Sequence, residues 1–425
     1  MKKPALARLL YTSIWWILLP ILPLRLWWRG RREPGYRQYG RERFGFYNIQ
    51  RPDGMLIWLH AVSLGETRAA APLVKALRQR YPNDTLLITH MTATGRATAT
   101  ECYGADALIA TLPYDYPFAM RRFLQHFKPR FGLILETEIW PNLNHTAAQM
   151  GIPLYLVNAR LSARSARGYA RFAVLIQTAL QQYKTIAAQS EEDAARLRTL
   201  GAQHVITTGN IKFDIDIPTA QHARATQLRH WLGDAPLILA ASTRAGEESL
   251  ILEAFQRATL PEGTKLILVP RHPQRFNDVE QQIKNYGYTP YLLSNANLEH
   301  QIDARANVIL GDSMGMLYAW YGAATLALMG GSWLPYGMHN LIEAAEMHCP
   351  TLLGPHTFNF ATATQDAVAA GAALQAQDTH EAFRLAGTLL THPAQLNTMK
   401  LAAQHFSQAH RGATARIMDQ LPLAQ

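Results

Sequence analysis

The chain has 425 residues, with 41 Lys and Arg against 31 Asp and Glu, a formal net charge of +10. Only 17% of residues are charged while 48% are hydrophobic, which supplies a core and excludes a disordered polyelectrolyte. The two cysteines, Cys102 and Cys349, match no metal-ligand spacing, which argues against a disulfide scaffold or zinc module and fits a reducing compartment.

Residues 1–43 hold ten Lys and Arg and two acids, a local charge of +8 that leaves only +2 for everything after them. Nucleic-acid binding is therefore disfavoured, because it needs a basic face spread over a folded domain. Leu9–Leu24 carries no charge and is rich in Leu, Ile and Trp, with Trp15, Trp16, Trp27 and Trp28 placed like interface anchors. The run falls short of the roughly 20 apolar residues that span a bilayer. Pro20 and Pro23 predict a kink. Residues 1–32 are thus expected to form a membrane anchor, interfacial or marginally spanning, whose basic flank attracts anionic headgroups. A cleaved signal peptide fits poorly, since bulky Trp27 and Trp28 run into Arg29–Arg32 with no small-residue cleavage site. A buried hydrophobic helix is the competing reading.

From Met55 onward short apolar runs alternate with amphipathic stretches. Strands are expected at Met55–Ala61, Leu86–Thr89, Ala107–Leu112, Phe131–Leu135, Leu154–Asn158, Thr185–Ala188 and His204–Thr207, with helices at Glu66–Arg80, Ala119–Phe127 and Glu191–Leu200. After a polar, proline-containing stretch near Asp214–Thr219 the pattern restarts. Strands are expected at Leu237–Ala241, Leu266–Val269, Asn307–Leu310, Leu326–Met329 and Thr351–Leu353, and helices at Gln274–Tyr286 and Ser313–Gly322. Such alternation predicts an α/β fold of two facing Rossmann-like domains, 33–212 and 213–425. Ligands in such folds sit beyond the carboxyl ends of the strands.

Four motifs could carry chemistry. WLHAVSLGE, Trp58 to Glu66, runs from a strand through a turn into a helix. Glu66 could serve there as a general base toward a hydroxyl, but Ser63 and Glu66 also have capping-box spacing. LETEIWPN, Leu135 to Asn142, ends an apolar strand in two acids. Alternation would turn Glu136 and Glu138 to one side, able to bind sugar hydroxyls or a metal, or to assist a base, or simply to be solvated. ILVPRHPQRF, Ile267 to Phe276, delivers Arg271 between prolines to a strand's carboxyl end, suited to a forked contact with phosphate or carboxylate. MGGSW followed by GMHNLIEAA, Met329 to Ala345, places glycines where backbone can approach a ligand closely, and Asn340 with Glu343 resembles a helix cap. None of these is a GxGxxG, GxxxxGK[ST], GxSxG or HExxH signature, which disfavours a nicotinamide dehydrogenase, a P-loop enzyme, a serine hydrolase or a zinc protease. His60 and His339 read as structural histidines.

In order along nearly the whole chain, RLWWRGRREPGYRQYGRERFGFY, LHAVSLGE, ETEIWPN, NARLSARS, GNIKFD, AGEES, LVPRHPQRF, GDSMG, HNLIEAA and GPHTFNF resemble the 3-deoxy-D-manno-octulosonic acid (Kdo) transferases of Gram-negative bacteria. The resemblance implies a GT-B glycosyltransferase at the cytoplasmic side of the inner membrane. It would move Kdo from CMP-Kdo to the lipid A precursor lipid IVA with inversion. It implies Glu66 as general base, and a CMP pocket lined by Pro270, Arg271, Met314, Gly315, Met316, Asn340, Leu341, Ile342 and Glu343, with Glu343 suited to ribose hydroxyls. It implies no cofactor and no catalytic metal, and partners limited to CMP-Kdo, lipid IVA and membrane lipid. The chain departs from the family pattern at Met316, where an acid is usual, in the run Gly337 to Glu343, and at Thr243-Arg244-Ala245. The alternatives are another GT-B sugar-nucleotide enzyme, such as an epimerase, or a non-catalytic membrane-bound lipopolysaccharide-assembly protein.

Overall fold

Buried parallel strands read as continuous apolar runs, because helices cover both faces of the sheet they form. The strands here obey that rule: Leu56–His60 and Leu237–Thr243 are buried at every position. A computed structural model describes residues 3–31, 33–303 and 305–423. The chain divides into two compact units, Met1–Ile215 with Arg411–Gln425, and Asp216–His410.

The first unit holds β1 (Leu56–His60), β2 (Thr85–His90), β3 (Ala107–Thr111), β4 (Phe131–Leu135), β5 (Leu154–Ala159), β6 (Tyr183–Ala188) and β7 (Val205–Thr207). They form a seven-stranded sheet in the order β3-β2-β1-β4-β5-β6-β7, parallel throughout. Alternate residues feed the two layers of core. Leu56, Trp58, Leu154 and Leu156 join one layer, and Ile57, Leu59, Leu133 and Leu135 the other. Gly132 in β4 makes room for Trp58, since a Cβ there would lie 2.5 Å from the indole.

The second unit holds β8 (Leu237–Thr243), β9 (Lys265–Pro270), β10 (Tyr291–Leu292), β11 (Val308–Leu310), β12 (Leu326–Met329), β13 (Thr351–Leu353) and β14 (Ala373–Gln375). Their order is β10-β11-β9-β8-β12-β13-β14, again all parallel. β10 and β14 are additions to the expected set: both lie at the sheet's edges and are only partly buried, so neither leaves a continuous apolar run. The helix expected from Ser313 starts only at Leu317, because Gly315 at φ 76° belongs to a turn.

The domain limits need one correction. A second domain running from 213 to the C-terminus is not what forms, because residues after His410 return to the first unit. Ala413, Ile417, Met418 and Leu421 are buried in its core beside Ile211. Asp214 fixes the return by accepting hydrogen bonds from Gly412 N and Thr414 N, both at 2.6 Å.

The N-terminal segment forms two helices, Lys3–Leu18 and Ile21–Arg29, bent by 58° at Leu19–Pro20. Pro20 falls at the break, whereas Pro23 sits in the first turn of the second helix, where its missing N–H costs nothing. Among the described residues no single helix is long and apolar enough to cross a membrane, although the bent pair passes that test jointly. One face of the pair packs on the first unit, with Leu22 and Leu26 buried against Tyr36, Tyr114 and Tyr116. The other face leaves Leu6, Leu9, Ile14, Ile17, Leu24 and Trp28 exposed. The docking is polar as well. Fully buried Asp115 accepts from the Tyr11 hydroxyl at 3.0 Å and from the amides of Asn142 and Leu143 at 2.9 and 2.8 Å. Asp115→Ala leaves these donors without their acceptor, and stability is expected to fall by about 1–3 kcal/mol in a denaturant titration.

Candidate functional site

β1 and β4 are neighbours, so the loops after His60 and Leu135 leave the same carboxyl edge of the first sheet. Ser63 caps the helix Leu64–Ala69. Its Oγ accepts from Glu66 N at 3.4 Å and donates to Glu66 Oε1 at 2.8 Å, while Val62 N donates to Oε2 at 2.8 Å. The capping box is therefore real. It does not exhaust the carboxylate, which has about four lone-pair directions.

Strand alternation is not what brings Glu136 and Glu138 to this edge. β4 stops at Leu135, and Glu136 turns the chain in the left-handed region at φ 59°. Asn158, at the end of neighbouring β5, is held at φ 53°. Its side-chain oxygen accepts from Ile211 N at 3.1 Å, which seats the short turn Ile211–Asp214. Lys212 on that turn reaches Glu136 Oε1 at 3.5 Å. Non-glycine residues in this region cost about 1–3 kcal/mol each and persist only where their surroundings hold them. Burial pushes Glu66 up to about 7, with the charge of Glu136 and then of Glu138 adding to the effect. Burial also lifts Glu138 to about 7, again with Glu136 contributing. A carboxyl group poised near neutrality is matched to general-base work. His60 and His90 lie beneath this edge as buried neutral groups, pushed by burial down to about 3 and about 4.

The second unit gathers basic groups at the carboxyl edge of β9, β8 and β12. Pro270 closes β9, and the amide of exposed Arg271 donates to Thr243 O at 3.0 Å. Arg244 Nη1 donates to His272 Nε2 at 3.0 Å, and its guanidinium lies 5.0 Å over the ring of Tyr336. His339 is pushed down to about 4 by burial first, then by Arg271, Arg244 and His272. The same edge contains buried acids that are already committed. Glu247 accepts from the amides of Arg244, Gly331 and Trp333 at 2.8, 2.7 and 3.0 Å, stapling the loops after β8 and β12 together. Glu248 takes the Thr243 hydroxyl at 2.7 Å and both terminal nitrogens of Arg275 at 2.5 and 2.9 Å. What these loops leave for a ligand is cationic, with the charges of Arg271 and Arg244 both acting on His339.

The remaining sequence-derived residues lie on the loops after β11 and β12 in this unit. Met314 is exposed, Gly315 O accepts from Gln221 at 3.0 Å, and Met316 O accepts from Trp320 N at 2.9 Å. Asn340 Oδ1 accepts from Ile342 N at 3.2 Å, and its amide donates to Glu343 at 3.3 Å, so Asn340 sits one residue before the N-cap position, Leu341, and braces the start of the helix Ile342–Glu346 from there. The charge of Glu343 raises both Tyr318 and Tyr321 after burial has done so. Lys212, Glu247, Glu248 and Arg275 lie in the motifs GNIKFD, AGEES and LVPRHPQRF but were given no role by sequence reasoning, and Arg244 entered only as a departure from the family pattern.

Two parallel α/β units, with acids at the strand ends of one and basic groups at those of the other, define a double-Rossmann protein of the GT-B-like class. The fold matches UDP-GlcNAc 2-epimerase from Neisseria meningitidis, at TM-score 0.60 and 16% identity over 86% of this chain and 99% of that one. Residues 38–215 match a family model described as 3-Deoxy-D-manno-octulosonic-acid transferase (kdotransferase). The chain is 42% identical to the 3-deoxy-D-manno-octulosonic acid transferase of Bordetella pertussis, over 95% of this chain and 96% of the other. It is 36% identical to that of Haemophilus influenzae, over 97% and 98%. The chain belongs to the Kdo transferase family, and it is a glycosyltransferase.

Proposed function

We propose that this enzyme moves Kdo from CMP-Kdo to lipid IVA, by a metal-independent, inverting displacement in which Glu66 is the general base. The observation that carries this reading is the Glu66 carboxyl group, held near neutrality beside Glu136 and Glu138 at the carboxyl edge of β1 and β4. Glu66 takes the proton from a sugar hydroxyl of the acceptor as that oxygen forms its bond to the anomeric carbon of Kdo. The bond from that carbon to the phosphate oxygen breaks, and CMP leaves with the electron pair. Glu136, paired with Lys212, and Glu138 orient the acceptor sugar and keep negative charge next to the base, which favours proton uptake.

In the donor site, Arg271 faces the phosphate, and Pro270, Met314, Gly315, Met316, Asn340, Leu341, Ile342 and Glu343 surround the nucleoside, with Glu343 on the ribose. Charge developing on the leaving phosphate is met by guanidinium and backbone N–H groups, which leaves no task for a metal. The departures at Arg244 and Ala245 keep the backbone contact to Glu247 intact. The exposed apolar face of the bent helix pair holds the enzyme on the cytoplasmic face of the inner membrane, beside its lipid acceptor.

Purified enzyme supplied with CMP-Kdo, lipid IVA and a chelator is expected to yield a product heavier by whole Kdo units, read by mass spectrometry. No product under conditions where a related transferase succeeds would overturn the donor or acceptor assignment. Arg271→Ala is expected to weaken CMP binding roughly 10- to 150-fold in a titration calorimeter, the worth of a charged hydrogen bond.

A further inference from the structure

The first unit carries a groove of about 1040 Å³ that the displacement chemistry does not use. One wall is the N-terminal helix, through Leu10, Tyr11 and Ile14, and the other is the junction of the helices Ala163–Ala170 and Ala173–Leu180, through Tyr169, Phe172 and Val174. Phe172 is 64% exposed and Val174 40%, so the groove presents large apolar side chains that nothing in the fold covers. Ile139 and Pro141 complete the lining.

Three observations say what belongs there. The groove begins one residue from the acid cluster, because Ile139 in its lining directly follows Glu138, whose backbone oxygen accepts from the Tyr183 hydroxyl at 2.8 Å. The Tyr169 phenol in the lining is raised by burial and then by the charge of Glu138, which sets Glu138 near that wall of the groove. The rim is cationic: Arg164, Arg167 and Arg171 are exposed, and no acid occurs from 160 to 182. An apolar trough with arginines on its wall and an acid cluster close by complements a molecule with a fatty tail, an anionic group and a sugar hydroxyl.

We propose that this groove holds an acyl chain of the acceptor lipid, with the adjoining arginines on a phosphate of its sugar head. The proposal rests on the acylated phosphosugar acceptor named above. It makes the helix Lys3–Leu18 a wall of the acceptor site as well as an attachment to the membrane.

The test fills the groove. Gly168 lines it, and a Cβ there meets no atom within 4 Å. Full-length Gly168→Phe and Ala173→Phe are compared with wild type on lipid IVA and on the same phosphorylated disaccharide stripped of its acyl chains. Two variants guard against one failing to fold, and each must keep the wild-type melting temperature. The preference of wild type for the acylated acceptor, as a ratio of kcat/KM, is expected to fall roughly tenfold or more in both, since each buried methylene is worth about fourfold. An acyl-chain probe carrying a diazirine is expected to label residues 7–14 and 165–176, and to lose that labelling in the variants. A wild type indifferent to acyl chains, an unchanged ratio in folded variants, or labelling confined to Ile17, Leu24 and Trp28 overturns the proposal. The last outcome would assign the apolar surface to the bilayer. If wild type transfers Kdo to neither acceptor, the acceptor reading itself falls, and the labelling pattern alone decides whether the groove binds acyl chains.

Discussion

Glu66→Gln is expected to lower kcat by about 10²- to 10⁴-fold, the usual contribution of a positioned base, while the protein stays folded. Gln is chosen because its carbonyl oxygen can still accept from Val62 N while its NH2 donates to Ser63 Oγ, so the helix cap survives and only the proton acceptor is lost. Wild-type activity should rise with pH through about 7, where the Glu66 carboxyl ionises, and this limb should vanish from the residual activity of the variant. Stability should run the other way. The folded-state value lies above the ordinary 4.5, so the stabilising contribution of the protonated form is complete below 4.5 and is lost as pH rises through about 7. The Gln variant, neutral throughout, escapes that loss. A variant with wild-type turnover would reduce Glu66 to its cap.

Arg275→Met is expected to cause the largest loss of stability. Glu248 is wholly buried, and the Arg275 guanidinium supplies both of its charged hydrogen bonds, leaving only the Thr243 hydroxyl when it is removed. An uncompensated buried carboxylate costs about 3–5 kcal/mol. For a unit of this size that lowers the melting temperature by on the order of 10 °C. Pairing the change with Glu248→Gln should restore part of the loss. Equal melting temperatures for Arg275→Met and wild type at pH 8 would mean that Glu248 finds another partner.

The sheets were legible because strands covered on both faces leave unbroken apolar runs, as in Leu237–Ala241, and because the pattern visibly restarts after Ile215. The motifs were legible as pieces: Glu66, Glu136 and Arg271 lie at strand ends, where such folds place ligands. What was illegible depends on the third dimension. That Glu136 would turn left-handed, and meet Lys212 from a segment 76 residues later, follows from packing between β4, β5 and the turn Ile211–Asp214. Nothing in AGEES announces that Glu247 will be buried on three amides from two loops. The apolar N-terminus was read as an anchor, but its docking on the first unit through Tyr11 and Asp115 depends on a partner 104 residues away.

The return of residues after His410 to the first unit also bears on how the protein is made. A ribosome finishes the first 215 residues while the last piece of their core is still unwritten, and must translate 195 more, Asp216–His410, before that piece emerges. At about 5–20 residues per second the interval is roughly 10–40 s. Throughout it, the surface around Ile211 that Ala413, Ile417 and Met418 will cover stays open, next to a nascent chain that already displays an apolar leading end. The second unit is one uninterrupted stretch and can complete itself within that wait. The unit that begins the sequence is therefore the one finished last.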